Sequence, residues 1–320
     1  MGARRAWLAP LVPLYRAASA LRWMGVKPQR LALPVVSVGN LSAGGTGKTP
    51  FVIALAKLLK AERMYVDVLS RGYGRSSSEA AWVNPEGTAA EYGDEPLLIA
   101  REAMVYVAAK RIEAGRLAES LAGGTLALHL LDDGFQHRQL HRDVDIVLVN
   151  SEDLGDWLLP AGNLREPLRA LGRATVFAVS VEDDTAVERL RAMGLGQPVW
   201  RFRREMVVPT VEGPVYAFCG IARPEQFFAG LEAGGLTLVA RKAFRDHHRF
   251  SAEDLKALVG LAERGGARAL VTTEKDRVRI GELAKHLGQF PLVTAGLRIV
   301  LEDEAGVAAW LRTRVSSAML

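Results

Sequence analysis

Residues 39–50 read GNLSAGGTGKTP, and their types suit one kind of chemistry, the cradling of nucleotide phosphates. Gly44, Gly45 and Gly47 let the backbone bend until its N–H groups point inward, and a helix starting there adds positive partial charge. In that setting Lys48 would reach the β- and γ-phosphates and Thr49 would hold Mg2+. Ser42, Ala43, Gly44, Gly45, Thr46, Gly47, Lys48 and Thr49 are therefore the expected nucleotide-binding residues. Pro50 fits the first helical turn, where its missing N–H is no loss. The strict spacing is Gly, any four residues, then Gly-Lys; here Ser42 stands in place of that first Gly.

Such a cradle needs a second metal anchor. Residues 126–136, LALHLLDDGFQ, offer an apolar strand ending in Asp132 and Asp133. Neighbouring side chains on a strand point to opposite sides. One carboxylate can thus face the metal, while the other orients water or a loop. Transfer to an alcohol further needs a proton acceptor, and cations to steady the phosphate. The segment GDEP (93–96) offers Asp94 and Glu95, either as helix caps or as a base facing the cradle. FRDHHRF (244–250) offers His247 and His248. Neither helix nor strand aligns side chains at i and i+1, so one histidine coupled to a carboxylate is expected rather than a metal pair. LPAGNLREPL (159–168) offers Arg165 and Glu166 as a phosphate clamp and its orienting partner, or as an exposed ion pair. RGYGR (71–75) lines the same opening or is only a glycine turn.

The elements that must position these residues follow from periodicity. Strands are expected at 34–38, 65–69, 104–108, 126–131, 144–149 and 174–179, with helices such as 49–60 and 111–121 between several of them. A second set follows: strand 215–218, helix 224–233, strand 237–243, helix 251–264, and strands 269–272 and 290–293. Alternation of this kind means βαβ units. The expected fold class is α/β: a P-loop-type, mostly parallel sheet flanked by helices, with a second, smaller α/β lobe. The expected division is 1–30 for a leader, 31–207 for the P-loop lobe and 208–320 for the smaller lobe. The boundary is set by the mixed stretch 200–214, and a last helix near 304–314 packs on either lobe.

The chain has 320 residues, with 41 Lys and Arg against 36 Asp and Glu, a formal charge of +5. Nine of the basic residues precede the first acidic one, Glu62, so the remainder carries 32 against 36, a net −4. A nucleic-acid protein more often spreads its basic residues over a whole face, so no nucleic-acid partner is expected. The single cysteine, Cys219, excludes an internal disulfide framework. The basic leader is also apolar. AWLAPLVPLY (6–15) carries no charge, yet is too short for a bilayer span of about 20 residues. Trp7, Leu8, Leu11, Leu14, Tyr15, Leu21, Trp23 and Met24 alternate with Arg4, Arg5, Arg16 and Arg22, as in a helix lying among lipid headgroups. Pro10 and Pro13 kink that helix or start it. A core helix and a cleaved export signal are the competing readings, and Arg16 interrupts the second.

Together these motifs resemble one family, the tetraacyldisaccharide 4′-kinases of lipid A biosynthesis. The resemblance rests on GNLSAGGTGKTP, LSRGYGR (69–75), GDEP, LDDGFQH (131–137), LPAGNLREPL, CGIARPEQF (219–227), FRDHHRF and VTTEKD (271–276). It implies a kinase using ATP and Mg2+ to phosphorylate the 4′-hydroxyl of an acylated glucosamine disaccharide 1-phosphate, at the cytoplasmic face of the bacterial inner membrane. Asp94 is then the base and His247 its partner. Lys48 and Arg165 are catalytic, and Asp132 and Asp133 belong to the magnesium site with Thr49. Tyr73, Glu95, Gln136 and Glu166 are further active-site positions. The resemblance also implies two lobes with the site between them and a membrane-docking N-terminal helix. The alternatives are a P-loop kinase for a soluble metabolite, a non-catalytic nucleotide switch and an exported binding protein.

Overall fold

The computed structural model describes residues 5–124 and 127–318. Arg4 of the leader, Leu126 at the expected start of one strand, and the Arg22 side chain lie outside that description. Twelve strands form the sheet: β1 Val35–Asn40, β2 Val66–Ser70, β3 Ala81–Trp82, β4 Met104–Val107, β5 Leu128–Asp132, β6 Val144–Val149, β7 Val176–Ser180, β8 Val199–Val207, β9 Val215–Cys219, β10 Leu238–Ala243, β11 Ala269–Thr273 and β12 Leu292–Leu301. Their order is β10-β9-β11-β12-β8-β7-β6-β1-β5-β2-β4-β3. All neighbours are parallel except β3 with β4 and β8 with β12. β1, β5 and β6 are buried along their whole length, as expected for strands covered by helices on both faces.

Helix Lys48–Ala61 starts directly after β1 and the glycine loop. It buries Phe51, Val52, Leu55, Ala56 and Leu59 at i, i+1, i+4, i+5 and i+8 spacing. That stripe packs on Val36, Val38, Leu130 and Ile146 of the strands. Each such side chain contributes about 1.5–3 kcal/mol by leaving water. The stripe thus fixes the helix axis, and with it the position of Lys48 at the N-terminus. The final helix, Glu304–Ala318, buries Val307, Leu311 and Val315 in the same core, so it packs on the P-loop side.

Besides the short edge strand β3, which the sequence expectation lacked, β8 and β12 differ from it. The stretch 200–214 reads as a linker because Arg201, Arg203, Arg204 and Glu205 crowd it, yet its first half is β8. The strand forms because β12 runs beyond the expected 290–293. Leu292–Ala295 pairs with β11, and Gly296–Leu301 pairs antiparallel with β8. One long strand thus belongs to both halves of the sheet. The arginines of β8 find partners at its edges: Arg201 donates to the Ser180 and Val181 carbonyls at 3.0 and 2.9 Å.

The leader is a short 3₁₀ turn, Ala6–Leu11, followed by helix Val12–Trp23 with Pro13 in its first turn. None of its described residues is buried, so the core-helix reading is corrected. Trp7, Leu14 and Met24 are 78%, 69% and 73% exposed. The Tyr15 hydroxyl donates to the Arg165 carbonyl at 2.9 Å, and the Arg5 N–H to the Ala161 carbonyl at 2.8 Å. The leader therefore lies against the 161–165 loop. Among the described residues, no helix is long and apolar enough to cross a membrane.

Candidate active site

Most of the expected site residues sit on segments that follow the C-terminal ends of parallel strands, where open α/β sheets bind ligands, whereas Asp94 and Glu95 follow the antiparallel edge strand β3. β1 feeds the glycine loop, β2 feeds Arg71–Arg75, β5 ends at Asp132, β9 leads to Gly220 and β10 to the histidine segment. In the glycine loop, Gly44 and Gly47 have φ of +123° and +88°, conformations open to glycine at little cost. The Ser42 hydroxyl donates to Asp153 Oδ2 at 2.8 Å, and the Ala43 N–H to the Asn163 carbonyl at 2.8 Å. Arg204 of β8 fastens the far side, donating to the Thr46 carbonyl at 2.8 Å. Thr49 is the second residue of the helix and is half-buried.

Lys48 Nζ donates to Asn40 Oδ1 at 3.0 Å and lies 3.4 Å from Asp133 Oδ1. Arg165 donates to both Asp133 oxygens, at 3.0 and 2.8 Å, and to Gln136 Oε1 at 3.2 Å. Gln136 in turn donates to the Asn40 carbonyl at 2.8 Å. Five residues from four segments thus form one network. Burial would raise the Asp133 carboxyl, but Lys48 and Arg165 outweigh it and hold the group below its ordinary value.

Asp132 is its opposite. The side chain is 3% exposed, and Oδ1 is buried with no hydrogen-bond partner. Burial, with the charges of Glu95 and Asp133, pushes its pKa up to about 7 against the opposing pull of Lys48 and Arg111. An unpartnered buried carboxylate oxygen is costly, and a cation beside it removes that cost. Among the described residues no three His, Cys, Asp or Glu side chains converge as a metal cage. Mg2+ requires none, since it binds through one or two carboxylates plus phosphates and water. Thr49, Asp132 and Asp133 fit that pattern.

Asp94 and Glu95 open helix Asp94–Ala100. The preceding Gly93 has φ +90°, and a Cβ there would lie 2.9 Å from the Tyr73 carbonyl. Close packing of GDEP on RGYGR therefore requires glycine. Tyr73 meets His247 edge-on, with ring centroids 5.7 Å apart. The structure separates the two histidines. His247, at φ +58°, has Nδ1 3.5 Å from Asp94 Oδ2. His248 faces away, with Nε2 3.0 Å from Asp254 Oδ2 and its ring stacked on Phe244 at 4.5 Å.

Three cations at this centre received no role from the sequence. Arg279, on helix Glu274–Ile280, donates to Asp94 Oδ2 through Nε at 2.8 Å. Its Nη2 lies 3.0 Å from His247 Nδ1. Lys275 donates to Glu95 Oε1 at 2.8 Å and stands 3.8 Å from Asp94 Oδ2. Burial would raise the Asp94 carboxyl. The charges of Lys275 and Arg279 and the hydrogen bond from Arg279 more than offset it and hold the group well below the usual carboxylate range. Arg111 is buried, its Nε has no partner, and burial beside Arg71 lowers its pKa to about 10. Only VTTEKD, which contains Lys275, carried any signal for this group, as a motif without an assigned role.

Glu166 departs from the expected pairing with Arg165. It is 5% exposed and accepts from Arg138 at 2.6 Å and from both terminal nitrogens of Arg173 at 3.0 Å. It is a buried anchor for the loop, because two guanidinium groups reach it from behind while Arg165 turns to Asp133.

A strand, glycine loop and helix with a lysine at the cradle, facing carboxylates on adjoining loops, define an α/β phosphotransferase of the P-loop class. Residues 4–316 match the family described as tetraacyldisaccharide-1-P 4′-kinase, LpxK, and the chain belongs to that family. It is 47% identical over 290 residues to a tetraacyldisaccharide 4′-kinase of Koribacter versatilis, covering 87% of this chain and 88% of the relative. A protein of the same name from Parvibaculum lavamentivorans is 39% identical over 321 residues, covering 98% and 92%. Among solved structures, LpxK from Aquifex aeolicus in complex with ATP is similar at a TM-score of 0.75 and 32% identity, covering 97% of this chain and 99% of that one.

Proposed function

We propose that this protein is the kinase its relatives are named for, transferring the γ-phosphate of ATP to the 4′-hydroxyl of an acylated glucosamine disaccharide 1-phosphate. The observation that carries the reading is the network joining Lys48, Asp133 and Arg165 at the glycine loop. Glu95, the neighbour of Asp94, is close enough to raise Asp132 electrostatically, so the acceptor side and the phosphate side form one centre.

In this mechanism the loop N–H groups, Lys48 and Arg165 bind the β- and γ-phosphates. Their charges lie where negative charge builds up during transfer, typically the largest catalytic contribution. Mg2+, held through Thr49, Asp132 and Asp133, supplies further charge neutralisation when bound. Asp94 orients the sugar hydroxyl and takes its proton, a role worth about 10²–10⁴-fold. Phosphoryl transfer passes through a loose transition state with little bond formation to the nucleophile, so a well-aimed carboxylate of low basicity suffices. Tyr73 and the cavity of about 260 Å3 lined by Arg71, Arg75, Ser77 and Ser78 lie on the side from which the acceptor approaches.

The leader is read as a peripheral membrane-docking helix at the cytoplasmic face of the inner membrane. Its exposed Trp7, Leu14 and Met24 belong to a leader that is hydrogen-bonded through Arg5 and Tyr15 to the loop carrying Arg165, which supports delivery of a lipid acceptor from a bilayer surface. The division into leader 1–30, P-loop lobe 31–207 and second lobe 208–320 belongs to the same reading, with the last helix packing back on the P-loop lobe, Asp94 on one lobe and His247 on the other. The test is ATP-dependent phosphate transfer to the dispersed acceptor by wild type, Lys48→Ala and Asp94→Asn. Transfer by the wild type and near-total loss in both folded variants is expected. Near-normal turnover by Asp94→Asn would remove Asp94 from the proton-accepting role.

A further inference from the structure

The two halves of the Asp94 centre do not simply touch; one guanidinium stands between them. Arg279 is 7% exposed and uses all three nitrogens. Its Nη1 donates to the Gly220 carbonyl at 2.6 Å and to Asp276 Oδ1 at 3.0 Å. Asp276, fully buried, also accepts from the Gly220 N–H at 2.9 Å and the Thr273 hydroxyl at 2.7 Å. The His247 N–H donates to the same Gly220 carbonyl at 3.2 Å. Gly220, Asp276, Arg279 and His247 therefore form one unit built wholly from the β9–β12 side of the molecule. That unit presents Nε and Nη2 to the P-loop side, where they lie 2.8 and 2.6 Å from Asp94 Oδ2.

The chemistry of the donors decides what this does. An arginine guanidinium keeps its charge under all ordinary conditions, so Nη2 is the donor to His247 Nδ1. That nitrogen then accepts, and it cannot at the same time donate to Asp94. The arrangement is Asp94–Arg279–His247 rather than a direct carboxylate–histidine pair. Both contacts of Arg279 fall on Oδ2 of Asp94, while Oδ1 accepts a single bond from the Glu95 N–H at 3.1 Å. Oδ2 is thus occupied and Oδ1 retains an acceptor site. Lys275 and His247, 3.8 and 3.5 Å from Oδ2, crowd the same occupied oxygen.

Resting on the kinase reading above, we propose that Arg279 is a positioning residue for the transfer. It locks Asp94 through Oδ2, leaving Oδ1 to meet the acceptor hydroxyl, and does so only when the β9–β12 side is closed on the P-loop side. The same guanidinium therefore ties the β9–β12 side to the P-loop side at the proton acceptor itself.

The test compares Arg279→Gln and Arg279→Lys with wild type, alone and combined with Asp94→Asn, following kcat, KM for ATP and the pH profile of kcat/KM, with melting curves to establish folding. Loss of alignment at a reacting group costs about 10²-fold. Arg279→Gln is expected to lose about that in kcat with KM for ATP within about threefold of wild type. Arg279→Lys, which keeps the charge without the fork, should fall between. In Arg279→Gln the acid limb moves to higher pH, because Asp94 loses its closest cation and keeps only Lys275, 3.8 Å away. Added to Asp94→Asn, the change costs little more, since residues acting as a unit are non-additive. Losses that multiply in the double variant, or a lowered kcat with an unmoved acid limb, would overturn the positioning role while leaving the kinase reading standing. Absence of transfer by the wild type would overturn both.

Discussion

Asp132→Asn should stabilise the protein while disabling it. In the metal-free protein the Asp132 carboxyl is raised from its ordinary 3.8 to about 7. At about 1.36 kcal/mol per pH unit, that difference costs at most about 4 kcal/mol of folding stability. The sign follows from proton uptake. Between pH 4 and 7 the unfolded chain has released this proton and the folded chain still holds it, so stability falls as pH rises through that window and then levels off. Asparagine has nearly the same shape and no charge to bury. In EDTA at pH 8, Asp132→Asn should therefore unfold at a higher urea concentration than wild type. The gain shrinks as the pH is lowered towards 4. Adding Mg2+ with an ATP analogue should raise the wild-type midpoint and narrow the gap, because a cation beside the free Oδ1 removes the cost. The variant should lose most transfer activity. An Asp132→Asn midpoint below that of wild type at pH 8 in EDTA would refute the reasoning, since it would mean the carboxylate is satisfied without metal.

Other outcomes follow from the same structure. Lys48→Ala should lower transfer by at least about 10²–10³-fold, the usual loss of one preorganised charge-stabilising donor, with an unchanged far-ultraviolet dichroism spectrum. Gly93→Ala should destabilise the protein and cost activity together, because the positive φ and the Tyr73 carbonyl 2.9 Å from the added Cβ both oppose it. Thermal melts and initial rates would check this, and a neutral result would mean the GDEP and RGYGR loops are not packed as seen. Removing residues 5–24 should abolish sedimentation with anionic liposomes while leaving ATP binding within a few-fold, measured by calorimetry.

What could be read from sequence was whatever lies close together along the chain. The glycine loop, the Asp132–Asp133 strand end and most βα units rest on patterns a few residues long. Arg279 carries no such signal. It meets Asp94 across 185 positions, and an arginine on a short polar helix looks like any solvated one. β8 was hidden for a related reason. Its arginines suggest a linker until β12 is seen to extend and pair with it, and Arg204 then reaches Thr46 across 158 positions. Glu166 shows the reverse failure. Adjacency to Arg165 suggested an ion pair, but the loop turns the two side chains apart, and Glu166 is neutralised by Arg138 and Arg173 instead. The pairing of Asp94 with a histidine was legible as a combination of residue types, whereas the intervening guanidinium was not.

The centre around Lys48 and Asp94 is expected to move phosphate from ATP to one hydroxyl of a lipid-linked sugar. Incubating the purified protein with γ-labelled ATP, Mg2+ and a tetraacylated glucosamine disaccharide 1-phosphate, and mapping the new phosphate by NMR, tests it most directly. A single phosphate at the 4′ position is predicted. Label that stays on the nucleotide, or that passes only to a soluble sugar, would contradict it.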